Sequence, residues 1–279
     1  MVDIQAISTG LQLADDGIWY STDSQNLSYP FDGNRNARIL EDNSFWFQHR
    51  NSCIASIVKS YPPKDDGVIF DIGGGNGFVS LELTNAGFNV VLVEPGIAGA
   101  SNAKRRGIKD VICATTETAR FKQKSLSAVG LFDVLEHIEN DVSFLQSIRA
   151  LIRDGGHLYM TVPAFSFLWS REDVLAGHFR RYTLASISSN LKSSGFDVIF
   201  SSYIFRLLPI PIFLFRSLPY KLGLSKEDRE LATVSRDHAV NGGVAAKVLN
   251  LTLPSEISNL DDQRGMHFGG SCLVVAKSP

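Results

Sequence analysis

Short, mainly apolar runs stand at 68–72, 89–93, 111–113, 126–132, 157–162 and 196–201, with a last run at 271–276. Runs of this length, with Val, Ile and Leu adjacent instead of alternating with polar residues, read as strands buried on both faces. Between them the spacing changes. Residues 78–86, 97–106, 141–152 and 184–193 read as helices; Val142, Leu145, Ile148 and Ile152 form one stripe closed by Gly155-Gly156, and Thr183 caps the last stretch. Strands alternating with helices predict an α/β fold, a seven-stranded, mostly parallel sheet with helices on both faces. A further helix, capped by Asn43 or Ser44, enters through Phe45-Trp46-Phe47-Gln48-His49-Arg50-Asn51 and stops at Tyr61-Pro62-Pro63. Three neighbouring aromatics cannot share one helix face, so part of that cluster covers something beyond the main core.

Two stretches depart from the alternation. Residues 1–43 are rich in Asp, Asn, Ser and Gly, with Trp19, Tyr20, Tyr29 and Phe31 among them, and predict an irregular arm or short-stranded cap before a domain at 44–279. Residues 202–270 far exceed a simple connection and predict a helical, apolar insertion before the last strand. Its front half, 203–218, holds Phe, Leu and Ile with Arg206, Arg216, Pro209 and Pro211, and Pro219 follows; it is too short and interrupted to cross a membrane. The back half has Asn241-Gly242-Gly243 and then a short helix at 245–251.

Composition narrows the field. Lys and Arg number 27 against 29 Asp and Glu, a net charge of −2 over 279 residues, which gives no field that would gather nucleic acid. Cys53, Cys113 and Cys272 are scattered and form no Cys-x-x-Cys pair, which argues against a zinc ribbon or a disulfide framework and suits a reducing cytosol. A cytoplasmic protein is the expectation. The first residues carry Asp3, Asp15 and Asp16 without a basic stretch and apolar core, so no signal peptide is expected.

The run at 68–72 ends in Asp71-Ile72-Gly73-Gly74-Gly75-Asn76-Gly77, which reads as strand, tight turn and helix start. Glycines there let the backbone adopt positive φ and let a ligand come close, so the ligand is expected on the turn. A dinucleotide fingerprint, Gly-x-Gly-x-x-Gly, is not met: the third glycine falls at Phe78 counted from Gly73, or at Ser80 counted from Gly75. The spacing present is Asp-x-Gly-x-Gly-x-Gly, from Asp71 through Gly73, Gly75 and Gly77. About twenty residues on, Glu94 ends the next strand before Pro95, at a place where an acid commonly accepts hydrogen bonds from ribose hydroxyls. In this pattern the chain resembles the class I S-adenosylmethionine (SAM) methyltransferases, a Rossmann-like family. The resemblance implies SAM as cofactor and S-adenosylhomocysteine as product, a last strand added antiparallel, Asp71 facing the methionine amine, and Gly73, Gly75, Gly77, Glu94 and Pro95 around the cofactor.

The likeness sharpens towards small-molecule enzymes such as the ubiquinone-biosynthesis O-methyltransferases, which carry an aromatic, His- and Arg-bearing helix before the first motif. Arg50 matches the arginine that binds the cofactor carboxylate, with a surface salt bridge as the alternative; Trp46 and His49 are substrate contacts or packing residues. The family often places an Asp after the third strand, beside the adenine amine. This chain has Ala114-Thr115-Thr116-Glu117, so Thr115, Thr116 or Glu117 takes that place. Asp133-Val134-Leu135-Glu136-His137-Ile138 matches the signature after the fourth strand and implies cofactor contacts from Phe132, Asp133 and His137. An Asn/Asp-Pro-Pro-aromatic motif is absent there, which counts against base methylation. In the ubiquinone group an acid-x-x-Glu-His set is linked to a divalent ion, and Asp133, Glu136 and His137 match it with Asp for Glu; most relatives with Leu-Glu-His need no metal, magnesium prefers oxygen shells, and none is expected. Gly-His-Phe-Arg-Arg-Tyr-Thr at 177–183 also recurs in such enzymes. It implies a lid in which Trp169, His178, Arg180, Arg181 and Tyr182 meet the substrate, against the reading that Glu172 and Asp173 merely pair with the arginines.

The resulting expectation is SAM-dependent methyl transfer to a small molecule, apolar or anionic, with His178 and His137 as candidate bases. Two alternatives stand beside it: a catalytically silent SAM-binding or scaffold protein, and an NAD-dependent oxidoreductase, which Phe78 and Ser80 disfavour. For 203–218, an acceptor-pocket cover using Phe213 and Phe215, an oligomer contact and a peripheral membrane patch all stay open.

Overall fold

The computed structural model describes residues 2–23, 44–224 and 244–279. One sheet contains β1 (Leu11–Leu13), β2 (Ile18–Ser21), β3 (Ile69–Ile72), β4 (Val90–Val93), β5 (Asp110–Cys113), β6 (Leu126–Phe132), β7 (Ile152–Pro163), β8 (Asp197–Ile204) and β9 (Ser271–Lys277), in the spatial order β1-β2-β5-β4-β3-β6-β7-β9-β8. Every pair from β2 across to β7 is parallel, while β1 on β2 and β9 on both β7 and β8 are antiparallel.

All seven predicted strands are present, but the sheet has nine, so the expected count is corrected. The two extra strands come from the arm. Leu11–Leu13 and Ile18–Ser21 fold back on each other around Gly17, at φ 74°, and the Ile18 N–H donates to Asp16 Oδ1 at 2.9 Å. Ile18 is buried, and β2 runs parallel beside Val111–Cys113 of β5. Residues 11–21 therefore extend the sheet as a hairpin instead of forming an irregular arm. Tyr29, Phe31 and Asn241-Gly242-Gly243 lie outside the described residues.

Side-chain alternation splits the core into two layers. Phe70, Ile72, Val91, Val93, Val129 and Met160 point to one face, where Leu145 and Ile148 of α4 (Asp141–Leu151) and Ile187 and Leu191 of α6 (Leu184–Ser193) cover them. Ile69, Val90, Ala128 and Tyr159 point to the other, covered by Ile54, Ile57 and Val58 of α1 (Phe45–Ser60) and Val79 and Leu83 of α2 (Phe78–Asn85). Near the hairpin, Ala100 and Ala103 of α3 (Ile97–Arg105) pack with Ile18, Leu92 and Val111. A short helix, α5 (Arg171–Ala176), lies between β7 and α6 in sequence.

The insertion is helical in its described parts. Pro209–Ile212, Phe213–Ser217 and Leu218–Lys221 make one short helical run, with a π-turn in the middle. The back half forms α7 (Val244–Asp261), longer than the predicted 245–251 because the helix continues through Pro254. Packing against α1 supports it: the Ser56 hydroxyl donates to Asp261 Oδ1 at 2.6 Å, and His49 Nε2 lies 3.0 Å from Glu256 Oε2. Glu256 also accepts the backbone N–H groups of Phe205 and Arg206, each at 2.7 Å, which ties α7 to the end of β8.

The turn between β3 and α2 depends on close packing as well as on backbone shape. Gly77 sits at φ 78°, and a Cβ there would lie 2.9 Å from the Cβ of Ala103, whereas Gly87, at φ 94°, has open space around the same position. Gly77→Ala should therefore cost the left-handed penalty plus a clash between α2 and α3, about 2–5 kcal/mol, and Gly87→Ala only the first part, about 1–2 kcal/mol. Urea unfolding of the two variants tests this ordering; equal losses would mean that α3 yields at no cost.

Candidate active site

A cavity of about 730 Å³ opens at the C-terminal ends of β3, β6 and β7, with α1 and the helical run of the insertion as its other walls. This is where the geometry of parallel sheets leaves strand tips, turn amides and helix starts facing one space. The glycine turn forms its floor. Gly73 donates its N–H to the Val93 carbonyl at 2.7 Å, and Gly77 donates to the Gly74 carbonyl at 2.9 Å, so the chain reverses tightly before α2 begins. At Gly75, φ is 53° and no atom lies within 4 Å of where a Cβ would stand. The backbone there is open to a ligand.

Two acids brace the turn. Asp71, at the tip of β3, is 1% exposed and accepts the Ser80 hydroxyl at 2.6 Å. Burial pushes its carboxyl up to about 6, against the opposing effects of the Ser80 hydrogen bonds and the Arg50 charge. Glu94, at the tip of β4, accepts the Gly75 N–H at 3.0 Å with one oxygen and the Gly96 N–H at 2.8 Å with the other. Its first task is thus to fix the turn from the neighbouring strand.

The aromatic start of α1 forms a wall. Trp46 stacks on Phe205 at 5.3 Å and meets Phe47 edge-on at 4.9 Å. Between these rings lies the Arg50 guanidinium, 5.0 Å from the Trp46 centroid and 5.2 Å from that of Phe47. Arg50 forms an ion pair with Asp133 and hydrogen bonds to Asn51 Oδ1 at 3.3 Å. Asp133 has φ 56° just after β6 and accepts the Thr161 hydroxyl at 3.0 Å. The acid-x-x-Glu-His trio is therefore divided, with Asp133 turned to Arg50 while Glu136 and His137 face the cavity.

Beyond Asp133 the ionisable groups cluster. The His137 and His178 rings meet at right angles with centroids 4.8 Å apart. Burial, and then the His178 charge, lower the basicity of His137. Glu136 is 1% exposed, and its carboxyl is raised well above the ordinary range by burial first and the Asp133 charge second. Opposite these, Leu208, Pro211, Ile212 and Phe215 give the insertion's side of the cavity an apolar surface. Phe213 turns away, towards Phe167 and Lys221.

Of the residues singled out in the sequence, Trp46, Arg50, Asp71, Gly73, Gly75, Phe132, Asp133, His137, His178 and Arg181 line the cavity. The others lie outside that lining. Gly77 caps α2, Glu94 and Pro95 sit behind the turn, Thr115 closes a capping box with Thr118, and Thr116 is buried. Trp169 is half-buried beside the buried Leu168 and Ser170. Arg180 reaches away to Asp141 at 3.0 Å and to the Glu139 carbonyl at 2.6 Å. Tyr182 is a core residue whose hydroxyl donates to Asp141 Oδ2 at 3.0 Å. Glu136 and Asp173 also line the cavity; from sequence, Glu136 was weighed only in the acid-x-x-Glu-His set, with no metal expected, and Asp173 only as a partner for arginines.

Comparison with known proteins agrees with this geometry. The family described as "Methyltransferase domain" matches residues 46–200. Among curated proteins, an uncharacterized protein of Methanocaldococcus jannaschii is 24% identical over 166 residues, covering 50% of this chain and 64% of that protein. The ubiquinone biosynthesis O-methyltransferase of Pseudomonas aeruginosa is 25% identical over 163 residues, covering 56% and 60%. The chain thus spans less than two thirds of the length of these relatives. Among solved structures, phosphoethanolamine N-methyltransferase 2 of Haemonchus contortus with SAM superposes with a TM-score of 0.54 at 19% identity, over 91% of this chain and 58% of that one. Geranyl diphosphate methyltransferase with SAM gives 0.54 at 15% identity, over 90% and 93%. Because the matched region runs from the aromatic wall of α1 through the glycine turn into β8 and takes in more than half of the chain, this protein belongs to the methyltransferase-domain family, the class I SAM-dependent methyltransferases.

Proposed function

We propose that the protein transfers a methyl group from SAM to a small, largely apolar acceptor held in the same cavity. The observation that carries this reading is the convergence on one space of an open backbone at Gly75, a buried carboxyl at Asp71 and a guanidinium at Arg50. These groups suit the parts of SAM. Asp71 would meet the ammonium, Arg50 the carboxylate, the Gly73–Gly75 backbone the body of the nucleoside, and Glu94, at the tip of the neighbouring strand, the ribose hydroxyls. Bound SAM supplies an electrophilic methyl carbon on a sulfonium, so the protein's own work is alignment and proton removal.

An apolar acceptor is favoured over an anionic one because the cations near the cavity are already matched. Arg181 is paired with Asp173 at 2.7 Å, Arg216 lies 4.0 Å from Glu172, and Arg180 is bound to Asp141. Leu208, Pro211, Ile212 and Phe215 offer apolar surface instead, worth roughly 25 cal/mol for each Å² that an acceptor covers.

Titration calorimetry with SAM, S-adenosylhomocysteine and NAD tests the reading directly. SAM and its demethylated product should bind and NAD should not; NAD binding alone would replace methyl transfer with hydride transfer. The raised carboxyl of Asp71 adds a sign. Its proton is held up to about pH 6 in the folded protein against an ordinary carboxyl value of 3.8, so its contribution to stability is present below 3.8 and lost as pH rises through about 6. An ammonium beside it needs the ionised form. SAM binding should therefore release a proton below about pH 6 and weaken about tenfold per pH unit there. Asp71→Asn should abolish the proton release, weaken SAM at pH 7.5, and leave the unliganded protein at least as stable. Heats that do not vary with buffer ionisation enthalpy at pH 5.5 would count against the Asp71–ammonium contact.

The role of Arg50 separates by ligand. Arg50→Ala should weaken SAM by about 1.5–3 kcal/mol, the value of a charge-assisted hydrogen bond, and weaken decarboxylated SAM much less. Equal losses for both would reduce Arg50 to the partner of Asp133.

A further inference from the structure

Three cavity-lining side chains have no part in the binding of SAM described above: Glu136, His137 and His178, whose functional atoms lie within 4.8 Å of one another. One loop contact sets them side by side, because the Phe179 N–H donates to the Glu136 carbonyl at 2.8 Å. What distinguishes His178 lies behind it. Its Nδ1 is 2.9 Å from Oδ1 of Asp173, whose side chain is 0% exposed.

Asp173 is held with unusual completeness. The Arg181 guanidinium donates through Nε to Oδ1 at 2.7 Å and through Nη2 to Oδ2 at 3.0 Å. Ser170 adds its backbone N–H at 2.9 Å and its hydroxyl at 3.2 Å, both to Oδ2. The chain is brought round by Gly177, at φ 75°, and the His178 N–H closes the turn on the Asp173 carbonyl at 2.9 Å. Burial by itself would raise the Asp173 carboxyl, but the hydrogen bonds from His178, Arg181 and Ser170, with the Arg181 charge, outweigh it and hold it down at about 2. An ionised carboxylate only accepts hydrogen bonds, so the ring nitrogen facing it must carry the proton. In the neutral imidazole the lone pair then belongs to Nε2.

Resting on the reading of this cavity as a methyl-transfer site, we propose that Asp173 is a positioning residue that fixes His178 as its Nδ1–H tautomer, making Nε2 the proton acceptor for a methyl acceptor whose nucleophilic heteroatom carries a proton. Glu136 completes the seat. Its Oε2 is buried and has no hydrogen-bond partner among the described residues, so it is a polar atom that a protic group of the acceptor can meet. As the acceptor's O–H or N–H bond breaks, its proton passes to Nε2. The freed electron pair forms the bond to the methyl carbon, and the carbon–sulfur pair leaves on the sulfur, giving a neutral thioether. The imidazolium so formed faces the Asp173 carboxylate. His137 is the weaker base for a different reason: burial first and the His178 charge second lower its basicity, against the Asp133 charge and a hydrogen bond to the Ala176 backbone. A thioether, which has no proton to lose, would make no use of such a device.

The test is a long-range ¹H–¹⁵N imidazole spectrum of the full chain labelled at histidine, treated with EDTA and recorded at pH 8, with the six histidines assigned through His178→Gln and His137→Gln. The expected result is that His178 in the parent is the Nδ1–H tautomer and that Asp173→Asn and Asp173→Ala move it towards Nε2–H. A parent ring in the Nε2–H form overturns the proposal, and needs no variant to be seen. So does an unchanged tautomer in a variant that keeps the parent's Tm, or a divalent ion that survives EDTA with His178 bound to it. In methyl transfer from SAM to whichever of a panel of phenols, amines and thiols turns over, Asp173→Asn should lower kcat by about 10²-fold or more, with KM for SAM unchanged. An unchanged kcat, or a loss confined to KM for SAM, also overturns it. Failure of the parent to bind SAM at all would instead sink the methyl-transfer reading of the cavity, an outcome separate from the state of the His178 ring.

Discussion

The glycine turn between β3 and α2 is held by two carboxylates on adjacent strand tips, and the site is built outward from that brace. Asp71 grips the first turn of α2 through Ser80, and Glu94 reaches across from β4 to the Gly75 amide. A loop of glycines would otherwise sample many backbone states, since each glycine gives up more conformational freedom on folding than any other residue. Two hydrogen bonds from the flanking strands remove much of that freedom before any ligand arrives. The cost is a buried acid at Asp71, whose raised carboxyl shows that the folded protein carries it uneasily. Such a group is better matched by a cationic ligand than by water.

Elsewhere in the cavity, charges are balanced locally, Arg50 against Asp133 and Arg181 against Asp173. In a partly buried site, an unpaired charge would cost several kcal/mol, so pairing within the protein lets these side chains stay in place when no ligand is bound. Arg181 is thereby committed to Asp173, while Arg50, at the aromatic wall, would be shared between Asp133 and the carboxylate of the proposed ligand. Selectivity then falls to shape, to the aromatic wall of α1, and to the few polar atoms with capacity to spare.

Much of this was legible in the sequence, and the gaps have physical causes. The strands announced themselves as short, mainly apolar runs, and the spacing of Asp71, Gly73 and Gly75 marked a tight turn that the fold places against the cavity. Residues 1–43 were left between an irregular arm and a short-stranded cap because strands as short as Leu11–Leu13 and Ile18–Ser21 barely develop alternation, though Asp15-Asp16-Gly17 between them is a turn signal. Helix α7 outran its predicted end because packing against α1 overrides what Pro254 predicts locally. Arg180 and Tyr182 shared a motif with His178 and Arg181, yet neighbours on a loop point in different directions, and both turn to Asp141 instead. The link from Asp173 to His178 needs the left-handed step at Gly177 and could not be read from residue types alone.

The position of β9 has a consequence for how the chain is made. It is the last strand in sequence, yet it lies inside the sheet between β7 and β8 and pairs with both along its length. A polypeptide emerging from the ribosome would complete β7 and β8 long before their common neighbour is available. Until then each exposes a row of unpaired backbone groups beside apolar side chains, the kind of edge that recruits foreign strands. Nascent chains are thus most vulnerable to misassembly in the interval between the synthesis of β8 and that of β9, an interval that the length of the insertion sets.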